Sequence, residues 1–339
     1  MRPSFYPRLV NGPFDDPGLF ISFLFEKRAA MFDLGDIHSL APRDILKISH
    51  VFITHTHMDH FIGFDRLLRL FLGRDQSIHM YGPEGFLKNV EGKLSGYSWN
   101  LVQHYSHRFV LKVSEVYPEH LITREYLCRN RFLPAKKAVK QPFDGILHKE
   151  PTLSFEAELL NHDDIPCLGF SFQERFHINI IKDSVSELGL KIGPWLNEFK
   201  QALFKNQDPN SEFEAKCGEN SSIKKRFVLG ELAKRIARIT PGQKVAYIAD
   251  VAYNQSNVEK IVRLAKDADH LFIEAAFLEK DRDIAAKRGH LTARQAGHIA
   301  GKSRVKQFTP FHFSPRYMGQ GHLLELEAQE AYEDEMPQK

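Results

Sequence analysis

Residues 51–60 read Val51-Phe52-Ile53-Thr54-His55-Thr56-His57-Met58-Asp59-His60. An apolar run of strand character passes directly into three histidines and an aspartate within six residues. In extended chain the i and i+2 side chains share a side, so His55 and His57 can chelate one ion. Where the chain turns toward a helix at Phe61, Asp59 and His60 can face a second ion nearby. Imidazole and carboxylate together suit zinc, with manganese or iron as alternatives. A lone histidine would fit a polar surface loop. Four ligand-type residues at the end of a strand do not.

The rest of the chain suits a folded, catalytic protein. Its 339 residues are 42% hydrophobic and 26% charged, which excludes a disordered chain. Histidine is abundant, with 17 residues, and is the commonest metal ligand and neutral-pH acid or base. Cys128, Cys167 and Cys217 have no paired metal spacing and are too few for a disulfide framework. The opening MRPSFYPRLVNGPFDDPG lacks the apolar run of a signal peptide. Apolar stretches such as 20–25 are far short of the roughly 20 residues that span a bilayer. The expected location is the cytoplasm, with no membrane partner. The net charge is +3, but residues 325–339 carry six acids and one base. The body therefore holds +8, including the basic stretch 224–238.

Short runs rich in Val, Ile and Phe (19–25, 30–33, 50–54, 77–81, 153–161, 244–250, 270–276, 305–311) read as strands. Segments 63–72, 186–203, 227–239, 256–267 and 292–302 read as helices, with Ser256 and Thr292 as N-caps. Such a mixture predicts a layered α+β or α/β domain. The expected organisation is one domain over 1–324 followed by an acidic C-terminal tail over 325–339. Residues 91–150 and 205–226 are candidate insertions, and 205–226 is polar enough to be a mobile loop.

The segment HTHMDH resembles the HxHxDH signature of the metallo-β-lactamase fold, a four-layer αββα sandwich holding two metal ions at the edge of its sheets. That resemblance implies further residues in order. Asp33 in MFDLGD matches the aspartate that braces the histidine loop, and His162 in NHDDIPCLGF the third histidine of the first metal site. Asp250, ending KVAYIAD, matches the carboxylate bridging the ions, and His312 in PFHFSPRY the last histidine of the second site. Each ends an apolar run. HFSPRY (312–317), the pair formed by Ile273-Glu274-Ala275-Ala276-Phe277 and His290-Leu291-Thr292, and LGLKIGPWL (188–196) are similar to ribonuclease Z, the endonuclease that trims the 3′ end of precursor tRNA. The resemblance makes Glu274 and His290 a carboxylate–histidine pair near the metals, and implies a homodimer.

The sequence departs from that group's pattern at several places. Val251 follows Asp250 where the group has threonine, and Ile273 and Ala276 replace its His and Thr. Asn11–Asp16 replaces a Gly-Thr-rich opening. Between His162 and Asp250 there is no Gly/Pro-rich arm, only Gly193-Pro194 and the basic stretch 224–238, read as a helix. No presumed ligand is lost.

The expected chemistry follows. Two divalent ions would generate hydroxide from water near neutral pH for attack on a phosphodiester. Asp59 would bind the second ion and help position or deprotonate the water, and Arg316 would offset charge on the phosphate oxygens. His290, supported by Glu274, would protonate the leaving oxygen. The expected substrate is RNA, with precursor tRNA as its form. A small phosphodiester such as a cyclic nucleotide is the alternative, and a metal-containing binding protein without turnover is another.

Overall fold

The structure is a computed structural model and describes residues 4–24, 26–135, 137–217 and 223–336, without the side chains of 216, 217 and 223. The expected single domain over 1–324 separates into two compact units. Among the described residues, the larger unit comprises those of 4–148, 155–172 and 244–336, and the smaller those of 149–154 and 173–243.

In the larger unit, eight strands form one sheet in chain order. Ala29–Phe32, Ile48–Phe52, Gln76–Gly82 and Phe109–Val116 run parallel at its centre. Phe5–Leu9 and Leu19–Phe23 flank them on one side, and His120–Leu127 and Val139–Pro142 on the other, through antiparallel pairings. Residues 91–150, expected to be an insertion, thus supply the sheet's far edge. The last strand is exposed throughout and ends in a proline, which suits an edge.

The pleat sends alternate residues to opposite layers. Val51 and Ile53 join the core beneath helices Phe64–Phe71 and Phe86–Ser95. Phe64, Leu67, Leu68 and Phe71 are buried there at the spacing of one helix face. Phe32 and Phe52 point the other way. Phe52 stacks on Phe155 at 4.5 Å, and Phe32 meets Phe170 at 5.6 Å and Tyr247 at 5.7 Å. These partners lie on the second sheet, whose order is Phe308–Phe311, His270–Glu274, Lys244–Ile248, Ile165–Glu174, Leu153–His162, Ile146–Lys149.

Helices Gln255–Ala265, Ala293–Lys302 and Gly321–Glu335 cover that sheet through a second apolar core, completing the αββα order. Thr292 caps the second of them with a capping box to Gln295, as expected, whereas Asn254 rather than Ser256 caps the first. The expected acidic tail is helical to Glu335, and residues 337–339 lie outside the described residues. Its Leu324, Ala328 and Ala331 are buried. Gly297 permits the approach, since a Cβ there would stand 2.0 Å from the Ala328 carbonyl oxygen.

The smaller unit holds two antiparallel pairs, Phe176–Ile180 with Ala237–Pro241 and Glu212–Cys217 with Ile223–Val228. Its core centres on Trp195, Phe199, Phe213, Leu229, Leu232 and Ile236. The expected helix 186–203 is two helices, Lys182–Glu187 and Trp195–Phe204, parted where Gly189 takes a φ of 62° and Pro194 precedes the second. The expected helix 227–239 is helical only over Leu229–Ile236, with strands on both sides. The expected loop 205–226 contains most of the second strand pair, and its residues 218–222 lie outside the described residues. No helix among the described residues is long and apolar enough to cross a membrane.

Candidate metal centre

The ligand-type residues expected from sequence all fall in the larger unit, just beyond the carboxyl ends of its strands. His55 to His60 follow Ile48–Phe52, and Asp33 follows Ala29–Phe32 directly. His162 closes its strand, Asp250 comes two residues after Ile248, and His312 follows Phe311. Asp33, Asp250 and His312 adopt left-handed backbone, with φ of 54°, 47° and 59°. Such conformations are uncommon for residues with a Cβ and cluster at functional sites. Here each closely follows a strand, and the histidines of the site converge on one point.

That point is the Asp250 carboxylate, 2% exposed. Its Oδ2 lies 3.6 Å from His55 Nε2, 3.3 Å from His60 Nε2 and 3.9 Å from His162 Nε2. Its Oδ1 lies 2.8 Å from His312 Nδ1. Asp59 Oδ2 lies 3.2 Å from His312 Nε2 and 3.6 Å from His60 Nε2. Three groups of ligand-type atoms result: His55, His57, His162 and Asp250 on one side, Asp59, His60 and His312 on the other, and Asp250, Glu274, His290 and His312, which shares a residue with each. Asp250 stands between the first two.

Second contacts aim the rings. Thr54 Oγ1 meets His55 Nδ1 at 3.1 Å, Asp33 Oδ2 meets His60 Nδ1 at 2.9 Å, and the Gly289 carbonyl accepts from His162 Nδ1 at 2.8 Å. Each engaged Nδ1 leaves an Nε2 for the centre. Asp33 is itself held by the Thr54 amide at 2.7 Å and by the Tyr247 hydroxyl at 3.0 Å. Partners of this kind fix ring orientation at metal sites and raise ligand basicity. Thr54, Tyr247 and Gly289 carry no metal-ligand signal in the sequence; only the neighbours of Thr54 and Gly289 do.

The residues fit divalent metal. His55 Nε2, His60 Nε2, His312 Nδ1 and Asp250 Oδ1 are buried and, although the last two lie 2.8 Å apart, none makes a hydrogen bond of good geometry among the described residues. Orphaned buried polar atoms are costly, and a cation shared by imidazole and carboxylate would satisfy all four. The electrostatics of the metal-free chain tell the same story. Burial, helped by the neighbouring His60, pushes His55 down to about 2. Burial also opposes charge on His60, but the Asp250 and Asp33 carboxylates override it and hold the ring up at about 10. Burial would raise Asp59, yet the His312 hydrogen bond and His60 bring it down to about 2.

Glu274 and His290 come together as expected. Glu274 is fully buried, its Oε2 lies 2.9 Å from His290 Nδ1, and its Oε1 accepts from the Val251 amide at 2.6 Å. Because a backbone N–H makes this contact, valine in place of threonine leaves it intact. Ile273 and Ala276, the other departures, are buried packing positions. His290 Nδ1 is 3.8 Å from Asp250 Oδ1, and the ring is 18% exposed. Burial disfavours its charged form, but the Glu274 and Asp250 carboxylates together raise the imidazole above its ordinary value. Arg316 is not drawn into the cluster. Its half-exposed guanidinium lies 3.4 Å from Asp281, which also accepts from the Tyr317 hydroxyl.

Comparison with known proteins agrees with this geometry. A family model described as beta-lactamase superfamily domain matches residues 232–313. A ribonuclease Z of Crocosphaera subtropica is 30% identical over 310 residues, covering 88% of this chain and 80% of the relative. Among solved structures, the metallo-beta-lactamase fold protein YhfI from Bacillus subtilis superposes with a TM-score of 0.55 at 14% identity, over 97% of this chain and 93% of that one. The short form of human tRNase Z does so with a TM-score of 0.50 at 18% identity, over 93% of each chain. With this fold, this order of ligand residues and that degree of identity, the chain belongs to the ribonuclease Z family.

Proposed function

We propose that the chain is a metal-dependent endoribonuclease of the ribonuclease Z type, cleaving a phosphodiester of RNA at the 3′ end of precursor tRNA. The observation that carries this reading is the Glu274–His290 pair beside the Asp250 cluster. A metal site alone would serve many hydrolases. A histidine just outside it, whose charged form a carboxylate favours, serves a reaction whose leaving oxygen needs a proton.

Divalent ions, zinc by the donor set, would be held by His55, His57, His162 and Asp250 and by Asp59, His60, His312 and Asp250, and would supply Lewis acidity toward water and phosphate oxygens. Asp59, with 41% of its side chain exposed, would accept a hydrogen bond from the attacking water and orient it. His290 would donate its proton to the leaving 3′-oxygen, and Glu274 would hold the ring in position and favour its charged form. Asp33 would keep His60 aimed inward. Arg316 would bind the phosphate by exchanging Asp281 for it. All these residues lie in the larger unit, to which we assign catalysis. A cytoplasmic homodimer is the expected working form.

The test is to incubate the zinc-loaded chain with precursor tRNA bearing a 3′ trailer and, separately, with bis(p-nitrophenyl) phosphate. Release of the trailer with a 3′-hydroxyl on the tRNA is expected. Hydrolysis of the small diester alone would favour a small-substrate enzyme, and full metal occupancy without turnover of either would leave a binding protein.

A further inference from the structure

The basic stretch 224–238 is a weak candidate for holding RNA, because its charges are partly spent at home. Lys224 pairs with Glu214 at 3.5 Å, Arg226 with Glu212 at 3.0 Å, and Lys234 with Glu231 at 2.8 Å. A different cluster in the larger unit is not neutralised in this way. Arg108, Arg129 and Arg131 line one cavity of about 660 Å³ together with Leu127 and Leu133. All three arginines are exposed. Arg131 donates to the neutral Gln103 at 2.9 Å, and none of the three guanidiniums has a carboxylate partner among the described residues. The single acid in the lining, Glu125, is engaged by Lys112 at 3.1 Å.

The backbone presents this cluster deliberately. Arg131 and Phe132 are consecutive non-glycine residues in left-handed conformation, with φ of 59° and 54°. That conformation is disfavoured for side chains with a Cβ and needs the surroundings to hold it. Phe132 is that anchor, 3% exposed, with its ring 4.7 Å from Trp99 and 6.0 Å from Phe109. Burying Phe132 leaves Arg131 exposed beside Arg129. A loop anchored by a buried ring and carrying guanidiniums beside exposed apolar surface suits a polyanion with bases: phosphates on the arginines, a base on Leu133, which is 67% exposed.

We propose that Arg108, Arg129 and Arg131 form a second RNA contact that grips the phosphate backbone of the substrate away from the metal centre. The proposal rests on RNA being the substrate. Position supports it. Arg108 precedes the amino end of Phe109–Val116, whereas the ligand loop leaves the carboxyl end of the parallel strand Ile48–Phe52. The register pairs Phe52 with Tyr81 and Tyr81 with Ser114, so the end of the ligand-bearing strand is level with a position six residues from Arg108. At roughly 3.3 Å per residue that is about 20 Å along the strands. A small diester cannot touch both ends, and a folded RNA can.

The test compares wild type with an Arg108→Gln, Arg129→Gln, Arg131→Gln variant, both zinc-loaded, by fluorescence anisotropy with precursor tRNA across a salt series and by turnover of bis(p-nitrophenyl) phosphate. RNA affinity should fall about 10-fold or more at 0.1 M salt, and the slope of log K against log salt should shrink by about 2 to 3, the scale of three lost phosphate contacts. Turnover of the small diester should be unchanged. If the variant does not fold, Arg129→Gln alone should show about a third of the slope change. Wild-type affinity and slope in the folded variant overturn the proposal, whether the patch serves a protein or nothing. Failure of the wild-type chain to cleave either substrate overturns the functional reading instead.

Discussion

His290 and Asp250 are joined through one buried carboxylate. Glu274 holds His290 Nδ1 with one oxygen at 2.9 Å and, with the other, the amide of Val251, the residue that follows Asp250, at 2.6 Å. The proposed proton donor and the proposed bridging ligand are therefore indexed to each other through one side chain.

Removing the acid should separate the two functions. His290→Ala should keep its metal content and lose about 100-fold or more in phosphodiester turnover, the usual scale for a general acid. Glu274→Gln probes the same pair by pH. The active form of His290 is protonated, so activity should persist up to its raised value and fall above it. Without the Glu274 charge, burial is opposed chiefly by Asp250, so the imidazole should titrate lower than in the wild type. The alkaline limb of the pH–rate profile should then move to lower pH. An unmoved limb in Glu274→Gln, or wild-type turnover in His290→Ala, would remove His290 from this role.

Much of this centre is legible in the sequence because its ligands sit where apolar runs stop. HTHMDH is contiguous, and Asp33, His162, Asp250 and His312 each end a strand, so hydrophobic pattern and residue type point to the same places. Tyr247 is hidden because a buried tyrosine inside a strand looks like core, and only the fold brings its hydroxyl to Asp33. Gly289 is hidden because it acts through its carbonyl. The tail and 91–150 mislead for a related reason. Leu324, Ala328 and Ala331 have helical spacing among six acids, and the strands of 91–150 are recognisable only once paired with the central sheet.

Gly289 should tolerate no side chain. Its φ is 66°, its carbonyl accepts from His162 Nδ1, and a Cβ would stand 2.9 Å from that nitrogen and 3.0 Å from Asp163 Cγ. Gly289→Ala must displace His162, and left-handed backbone costs alanine about 1–2 kcal/mol besides. Metal affinity should drop about 10- to 100-fold, the range for a lost outer contact. Because His290 is the next residue, turnover at saturating metal should fall as well. Competition with a chromophoric chelator measures the first effect and single-turnover cleavage the second. Wild-type values for both would show that the Gly289 carbonyl positions nothing.

Metal loading should reverse the pH dependence of stability. In the metal-free chain His60 is raised from 6.5 to about 10, against the pull of burial, by Asp250 and Asp33. A group raised on folding contributes stability that is fully present below its unfolded value and lost as pH rises through the folded one. Metal-free protein should therefore lose stability between about pH 6.5 and 10. A metal ion needs the Nε2 lone pair, so its binding must release that proton and tighten as pH rises across the same interval. At a free-ion concentration 100 times Kd, the gain in stability is about 2.7 kcal/mol. Thermal unfolding with chelator and with zinc, at pH values from 6 to 9, should give melting temperatures that diverge as pH increases. Calorimetric titration in buffers of different ionisation enthalpy should register the released proton. Parallel melting curves with no proton release would mean that His60 is already neutral in the metal-free centre and that Asp33 and Asp250 do not hold its charge.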